Sequence, residues 1–116
     1  MNQKIITAVK ALDKKKALDI KALRVEDLTI VTEAFVIAAG TSSTHVRSLA
    51  DEVEYQMKLA GFEPRQIEGK ATGGILLDYH DVIIHIFTPD QREHYNLEKL
   101  WADGKEMDLS EIVTED

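Results

Sequence analysis

The feature that most constrains the fold is a run of six apolar residues, AFVIAA at positions 34–39, which is followed at once by Gly40. The run is short and contains the β-branched residues Val36 and Ile37, which favours a strand over a buried helix. Strands that are apolar at every position, rather than at alternate ones, are covered on both faces of a sheet. The run therefore predicts a central strand with packing on both sides.

Amphipathic segments on either side of that run predict helices. Residues 2–15 place apolar side chains three and four positions apart, and residues 46–60 do the same before Gly61, a natural helix stop. The hydroxyl residues at positions 41–44 supply N-cap candidates for the second helix. A third helix is predicted to begin at Thr88, which can cap it.

Shorter segments predict the other strands of the sheet. They lie at residues 19–25, 64–68, 75–77 and 82–87, with a hairpin turn at residues 78–81. The element order α-β-β-α-β-β-β-α favours an α/β fold, in which helices flank a mixed sheet of about five strands. The residues expected in its core are Val36, Ile37, Leu49, Val53, Leu76, Ile84 and Ile86.

Charge is unevenly distributed along the 116 residues, whose net charge is -7. Positions 103–116 hold six acids and one lysine, a net charge of -5, so the rest of the chain carries only -2. We interpret residues 1–104 as a single domain and residues 105–116 as a solvated acidic tail. Because nucleic-acid backbones are bound by clustered Lys and Arg, direct sequence-specific binding of nucleic acid is not expected, and a basic protein is the better partner.

Several classes of protein are excluded by what the sequence lacks. It contains no cysteine, which excludes disulfides, thiolate zinc sites and a cysteine nucleophile. No apolar run approaches the roughly 20 residues that span a bilayer, and the N-terminal segment has no secretory apolar core. We therefore expect a cytoplasmic protein with no membrane partner.

The stretch Gly40-Thr41-Ser42-Ser43, between a predicted strand and helix, is the first candidate for chemistry. Nucleotidyltransferases place a Gly-Ser at a similar junction, followed by two carboxylates on alternate residues of the next strand that face one metal pair. Here the next strand offers the single acid Glu68. The pattern favours a capped helix over a transferase site.

A second candidate combines His80, Asp81 and His85 with the nearby Asp78. Zinc needs three or four convergent ligands, and two histidines five positions apart across a turn need not face one way. A partly buried structural His85 is the simpler interpretation. His45, in the first turn of its helix, is expected to be neutral and to donate a hydrogen bond near the same sheet edge. No metal and no cofactor are expected.

Four segments in consistent order resemble the RsfS/Iojap family of ribosomal silencing factors. GTSSTHV at residues 40–46, with Leu49-Ala50-Asp51, is similar to the family's GTSSRHV and IAD. IEG at residues 67–69 is similar to its VEG, and LDYHDVIIHIF at residues 77–87 to its LDYGDVVVHVF. Arg92 and the YNLEKLW that begins at Tyr95 are similar to its R…YNLEKLW. The resemblance spans residues 2 to about 103.

The resemblance implies a nucleotidyltransferase-like fold without transferase activity. It also implies binding to the large ribosomal subunit through ribosomal protein uL-fourteen, on the face that meets the small subunit. Occupying that face blocks subunit association and represses translation when nutrients are short. The sequence departs from the family pattern at Glu33, Thr44, His80 and Gly74, where the family has Asp, Arg, Gly and Trp. The Trp is expected to be a contact anchor, so its replacement by glycine bears on how the partner is held.

The partner-binding site is predicted where the resemblance is densest, at and near the hairpin, extended by two residues of the third helix. Its residues are Glu68, Gly69, Ile75, Leu77, Asp78, Tyr79, His80, Asp81, Arg92 and Tyr95. Tyr79 is expected to be an apolar anchor and the three carboxylates to meet a basic protein, although Asp78 and Asp81 are as well suited to capping the turn.

Two other hypotheses stay open at this point. One is a nucleotide- or metal-dependent transferase or hydrolase that uses Ser42, Ser43, Glu68, Asp78 and Asp81. The other is a subunit of some other complex, joined through an apolar sheet edge. A homodimer is also left open.

Overall fold

A computed structural model describes residues 2–24, 32–69, 74–89 and 105–109 of the chain. Within them lie two helices, α1 (Gln3–Lys14) and α2 (Ser43–Leu59). The strands are β1 (Leu18–Arg24), β2 (Ala34–Ala39), β3 (Gln66–Glu68), β4 (Gly74–Asp78), β5 (Val82–Phe87) and β6 (Lys105–Glu106). Most of the predicted third helix, with Arg92 and Tyr95, lies outside the described residues.

The apolar run is the centre of a mixed sheet, as its pattern predicts. The strand order is β3-β4-β5-β2-β1-β6; β2 pairs in parallel with β5 and antiparallel with β1. In β2, Ala34, Val36 and Ala38 join the core under the helices, whereas Ile37 packs with Leu23 and Phe87 on the opposite face. The described sheet has six strands rather than five, because residues 105–106 add β6 to the free edge of β1.

Both helices lie on one face of the sheet, and they run antiparallel. The end of α1 meets the start of α2 where the imidazole of His45 reaches the carbonyl of Lys15. Each helix turns its apolar stripe inward, because side chains three and four positions apart share one side. Neither helix of the described residues has the length and apolar content of a membrane span.

The two ends of α2 are determined by local chemistry. The hydroxyl of Ser42 caps the helix by accepting the N–H of His45 at 3.1 Å. At the other end Gly61 has φ of +88°, and its N–H and that of Phe62 donate to Lys58 and Met57, a Schellman closure. Gly40 is required for a different reason: a Cβ there would lie 2.9 Å from the backbone nitrogen of Val46.

Three sequence predictions about the fold need correction. Leu76 is only half-buried, because it points to the opposite face of β4 from Ile75 and Leu77. The strand expected at residues 64–68 begins at Gln66. Residues 105–109 of the acidic tail do not form a solvated end: Met107 donates its N–H to the carbonyl of Ala22, and Met107 and Leu109 pack against the core. The division of the chain at residue 104 stays a prediction.

Candidate functional site

One corner of the sheet gathers most of the described residues that the sequence predicts to bind a partner. It consists of residues 65–69, which include β3, and the turn at residues 78–81 between β4 and β5. The two segments are joined by β3–β4 pairing, in which Gln66 lies opposite Asp78 and Glu68 opposite Leu76. We call these residues the hairpin corner.

Asp78 is held inside the hairpin corner by Arg65. The guanidinium donates to one carboxylate oxygen from Nη2 at 2.8 Å and from Nε at 3.2 Å. The other oxygen accepts the N–H of His80 at 2.9 Å, which fixes the turn. Partial burial raises the pKa of Asp78, but these hydrogen bonds and the charge of Arg65 outweigh burial and hold the pKa below its ordinary value.

Asp81 is held in the same way by the start of α1. The ammonium of Lys4 donates a hydrogen bond to one carboxylate oxygen at 2.6 Å, and the side-chain amide of Asn2 donates one to the other oxygen at 2.8 Å. Partial burial raises the pKa of Asp81, but the hydrogen bonds from Lys4 and Asn2 outweigh it and leave the pKa lowered. Lys4 also donates to the carbonyl of Tyr79 at 3.0 Å, so the N-terminal end of α1 is fastened to the turn.

Three of the predicted contact residues have side chains that a partner cannot reach in this structure. Ile75, Leu77 and Tyr79 are at most 1% exposed and lie in the core beneath the helices. They alternate along β4 and its continuation, so all three point to the same face. Tyr79 is therefore a support for the hairpin corner and not an exposed anchor, which corrects the sequence interpretation of that residue.

Burial gives Tyr79 an unusual environment. Its hydroxyl has no hydrogen-bond partner among the described residues. Burial first, and then the negative charges of Glu54 and Glu63, raise the pKa of Tyr79 to about 12.

The exposed residues of the hairpin corner are Glu68, Gly69 and His80 among those predicted, together with Arg65 and Gln66. His80 has φ of +73°, a left-handed conformation that glycine adopts without strain and other residues rarely adopt. Its Nδ1 lies 3.3 Å from Nη1 of Arg65. The position where the sequence departs from the family's glycine is therefore the tip of the turn, next to an exposed cation.

Three of the five residues in the catalytic hypothesis are used for structure. The Ser42 hydroxyl caps α2, and the carboxylates of Asp78 and Asp81 are paired with cations of this chain. His85 is half-buried against the edge of the Phe87 ring, with centroids 4.9 Å apart, and burial lowers the pKa of its imidazole. In the part of the chain that the structure describes, no group of three or more His, Asp or Glu residues is placed to hold a metal ion.

His45 donates a hydrogen bond, as predicted, but it lies between the two helices and not at the sheet edge. Its Nδ1 accepts the N–H of Thr41 at 2.9 Å, and its Nε2 lies 2.8 Å from the carbonyl oxygen of Lys15. A carbonyl only accepts, so Nε2 carries the hydrogen, and an Nδ1 that accepts carries none. This assignment, made from the hydrogen-bond geometry, corresponds to a neutral imidazole that joins the end of α1 to the start of α2.

Sequence reasoning missed Asn2, Lys4 and Arg65. Asn2 and Lys4 are more than seventy positions from Asp81, and Arg65 is 13 positions from Asp78. No local pattern marks them. The available signal was indirect: two acids at a turn, each partly covered by the sheet, need cations from elsewhere in the chain.

The mixed sheet, the two helices on one of its faces and the hairpin corner together define a small α/β protein. A family model described as "Ribosomal silencing factor during starvation" matches residues 1–116. The chain therefore belongs to the RsfS family of ribosomal silencing factors. The match includes the acidic tail, where the sequence resemblance was expected to stop near residue 103.

Individual relatives agree with this assignment. The chain is 40% identical to the ribosomal silencing factor RsfS of Bacillus subtilis over 112 residues, which cover 94% of this chain and 95% of that protein. It is 29% identical to the chloroplastic protein Iojap of Zea mays, over 90% of this chain and 46% of that protein. A crystal structure of a protein from Chromobacterium violaceum superposes with a TM-score of 0.81 at 32% identity, over 88% of each chain. Membership places the chain among ribosome-associated proteins that silence translation.

Proposed function

We propose that the protein binds the large ribosomal subunit through ribosomal protein uL-fourteen, blocks association with the small subunit and so represses translation in the cytoplasm. The observation that carries this proposal is the family match along the whole chain. The name of that family refers to silencing during starvation and not to a reaction. A protein that acts by occupying a surface needs a rigid face and no turnover, and the hairpin corner offers such a face.

The hairpin corner is proposed as the partner-binding surface, with its residues divided by role. Glu68, Gly69 and His80 are exposed and are proposed to touch the partner. Asp78 and Asp81 fix the turn through Arg65 and Lys4. A surface held in one conformation before binding loses little conformational entropy when it binds.

Two groups of predicted contact residues enter the proposal differently. Ile75, Leu77 and Tyr79 act from the core, because they form the packed layer on which the turn rests. Arg92 and Tyr95 lie outside the described residues and remain proposed contacts from the sequence resemblance alone.

Electrostatics gives the proposed interface an expected salt dependence. The chain carries a net charge of -7, which suits a basic ribosomal protein. At the hairpin corner Asp78 and Asp81 are already paired with cations of the chain, so Glu68 is the exposed acid best placed to attract a partner. Exposed charges at the rim of an interface mainly change the association rate and its dependence on salt.

Cosedimentation with purified large subunits tests this placement. We expect Glu68→Lys combined with His80→Ala to weaken binding about tenfold or more, the loss typical of one well-placed contact. The matched control is Asp51→Lys, which changes an exposed acid of α2 to a lysine away from the hairpin corner. Equal affinity of the double variant and the wild type, with unchanged circular dichroism, would place the interface elsewhere.

A second experiment tests the consequence of binding. Purified large and small subunits are mixed with and without the protein, and their association is followed by light scattering. The proposal requires that the wild type lowers the associated fraction and that the double variant does so only at higher concentration. Binding without any effect on association would keep the ribosomal partner and refute the blocking mechanism.

A further inference from the structure

The outer side of the helix layer carries a groove that the proposed function does not use. It has a volume of about 420 Å³ and lies between α1 and α2. Ile6 and Ala11 of α1, Leu59 of α2 and the adjoining Ala60 supply its apolar wall. The residues of the hairpin corner do not line it, so an occupant would leave that corner accessible.

The groove adjoins the most exposed large apolar side chains that the structure describes. Leu59 is 66% exposed and Tyr55 is 58% exposed, and the two lie one turn apart on α2. Residues four positions apart on a helix are neighbours on its surface. A contiguous apolar strip beside a groove is typical of a surface that is covered by another molecule.

The charge of the groove is opposite to that of the chain. Lys10 and Lys14 of α1 line it, and none of the residues that line it is acidic, although the chain as a whole carries -7. Lys14 lies 3.7 Å from Glu52, whose side chain is 12% exposed, but the Lys14 side chain is itself 62% exposed and stays accessible to a second anion. An apolar wall with a cationic rim selects an occupant that is apolar on one side and anionic at its edge.

We propose that the α1–α2 groove binds an acidic amphipathic helix of a partner protein. On α1 the groove extends from Gln3 to Lys14, which at 1.5 Å per residue is about 17 Å or three helical turns. A helix laid between two antiparallel helices buries apolar residues at every third and fourth position. Its Asp and Glu residues meet Lys10 and Lys14, while its apolar side chains cover Leu59 and Tyr55.

This surface gives the protein a second contact, separate from the ribosomal one. The groove is on the face of the helix layer that points away from the sheet, whereas the hairpin corner is at the turn between the end of β4 and the start of β5. A protein that holds the ribosome at the corner and an acidic helix in the groove connects two partners. The groove proposal does not depend on the ribosomal one, since its test needs no ribosome.

The probe is a synthetic peptide of about 12 residues, the length of the groove, held helical by a side-chain lactam. It has leucines at every third and fourth position and glutamates elsewhere; a control peptide has lysine in place of each glutamate. Titration into the full chain is followed by amide chemical shifts. We expect shifts at Ile6, Lys10 and Leu59 with the acidic peptide, and binding at least tenfold weaker with the basic one.

Variants of exposed residues make the test specific. Leu59→Glu and Lys10→Glu should each weaken binding of the acidic peptide about tenfold. The first places a carboxylate on the apolar wall, and the second replaces a cation by a carboxylate. The matched control is Lys58→Glu, which makes the same charge change on an exposed lysine of α2 that does not line the groove, and should weaken it less than threefold.

Four outcomes would overturn the proposal. Three of them are equal binding of both peptides, chemical-shift changes confined to the hairpin corner, and equal effects of Lys10→Glu and Lys58→Glu on binding. The fourth is a different occupant: a concentration-dependent dimer that Leu59→Glu dissociates, or a peptide of residues 110–116 that binds the groove of the chain shortened to residue 109 more tightly than the probe does.

Discussion

The hydroxyl of Tyr79 is buried and has no hydrogen-bond partner among the described residues. A buried polar group without a partner destabilises the fold, whereas the buried ring stabilises it. We therefore expect Tyr79→Phe to leave the free energy of unfolding unchanged or to raise it by about 1 kcal/mol. Tyr79→Ala, which removes the ring, should lower it by about 3–5 kcal/mol. Urea denaturation followed by circular dichroism measures both.

This contrast also decides which variants can probe binding. Tyr79→Ala combined with Asp81→Ala is unsuitable as an interface probe, because it removes a core ring and a turn-fixing carboxylate together. A loss of binding by that variant would report unfolding. A Tyr79→Phe variant that is less stable than the wild type by more than about 1 kcal/mol would show that the hydroxyl has a partner after all.

Ionisation of Tyr79 gives a stability change at alkaline pH. Burial, aided by Glu54 and Glu63, raises its pKa from 10 to about 12, so the folded state holds the proton longer than the unfolded state. The stabilisation is complete below pH 10 and is lost as the pH rises to about 12. Unfolding measured across this window should show a steeper loss of stability in the wild type than in Tyr79→Phe. Parallel curves would contradict the burial of this phenol.

Asp78 and Asp81 act at the opposite end of the pH scale. Their pKa values are lowered, so their contribution is complete above the ordinary value near 4 and is lost as the pH falls through the folded values. Arg65 and Asp81 are each more than a third exposed, and solvent screening limits each ion pair to about 1 kcal/mol or less. We expect Asp78→Asn with Asp81→Asn to lower stability at neutral pH and to flatten its fall below pH 4, as acid titration of the unfolding midpoint would show.

At the scale of the elements, His45 joins the two helices through its ring nitrogens. Replacing it by alanine leaves the N–H of Thr41 and the carbonyl of Lys15 without this partner. Because the site is open to solvent, we expect His45→Ala to lower the free energy of unfolding by about 1–2 kcal/mol. Hydrogen exchange at the Thr41 amide should become faster.

Thr44→Ala is the control for His45→Ala. Thr44 is the exposed neighbour of His45 in the first turn of α2, and the cap is supplied by Ser42 instead. Its replacement should change stability by less than about 0.5 kcal/mol. Equal effects of the two variants would show that the histidine contributes only its helix propensity.

The sequence located an element most accurately where the residue pattern is compatible with only one type of structure. The run at residues 34–39 became β2 without a shift of either bound, because an apolar strand between Gly40 and polar residues has few alternatives. Leu76 was misplaced because the three residues Ile-Leu-Leu, taken alone, do not say which face of the strand is covered. The alternation of Ile75, Leu77 and Tyr79 was readable and would have shown that the tyrosine points inward.

Other features depend on contacts between distant parts of the chain, which no local pattern contains. The backbone of Lys105 and Glu106 forms β6 because the edge of β1 is available, not because two charged residues favour a strand. Likewise, Lys4 and Arg65 reach Asp81 and Asp78 only through folding. The family could therefore be recognised from motifs, whereas the division of the corner into buried and exposed residues needed the structure.

At the scale of the whole molecule, the last described segment completes the sheet and part of the core. Residues 105–106 pair with Leu23 and Arg24, and Met107 and Leu109 pack against the core beside Ile20. Removing residues 105–116 should therefore lower the free energy of unfolding by about 2 kcal/mol, through lost strand pairing and partial apolar burial. For a chain of this size, that corresponds to a fall in Tm of roughly 8 °C.

The matched control is a chain that ends at residue 109, which keeps β6, Met107 and Leu109 while losing three of the acids. Its Tm should stay within about 4 °C of the wild type, because no described packing contact is removed. If the two truncated chains were equally unstable, the stabilisation would come from residues 110–116 and not from residues 105–109. Cosedimentation with large subunits then separates fold from interface: the chain ending at residue 109 should bind like the wild type. The chain that ends at residue 104 should also bind normally at temperatures well below its Tm, because the sheet still forms there with β1 as its edge strand.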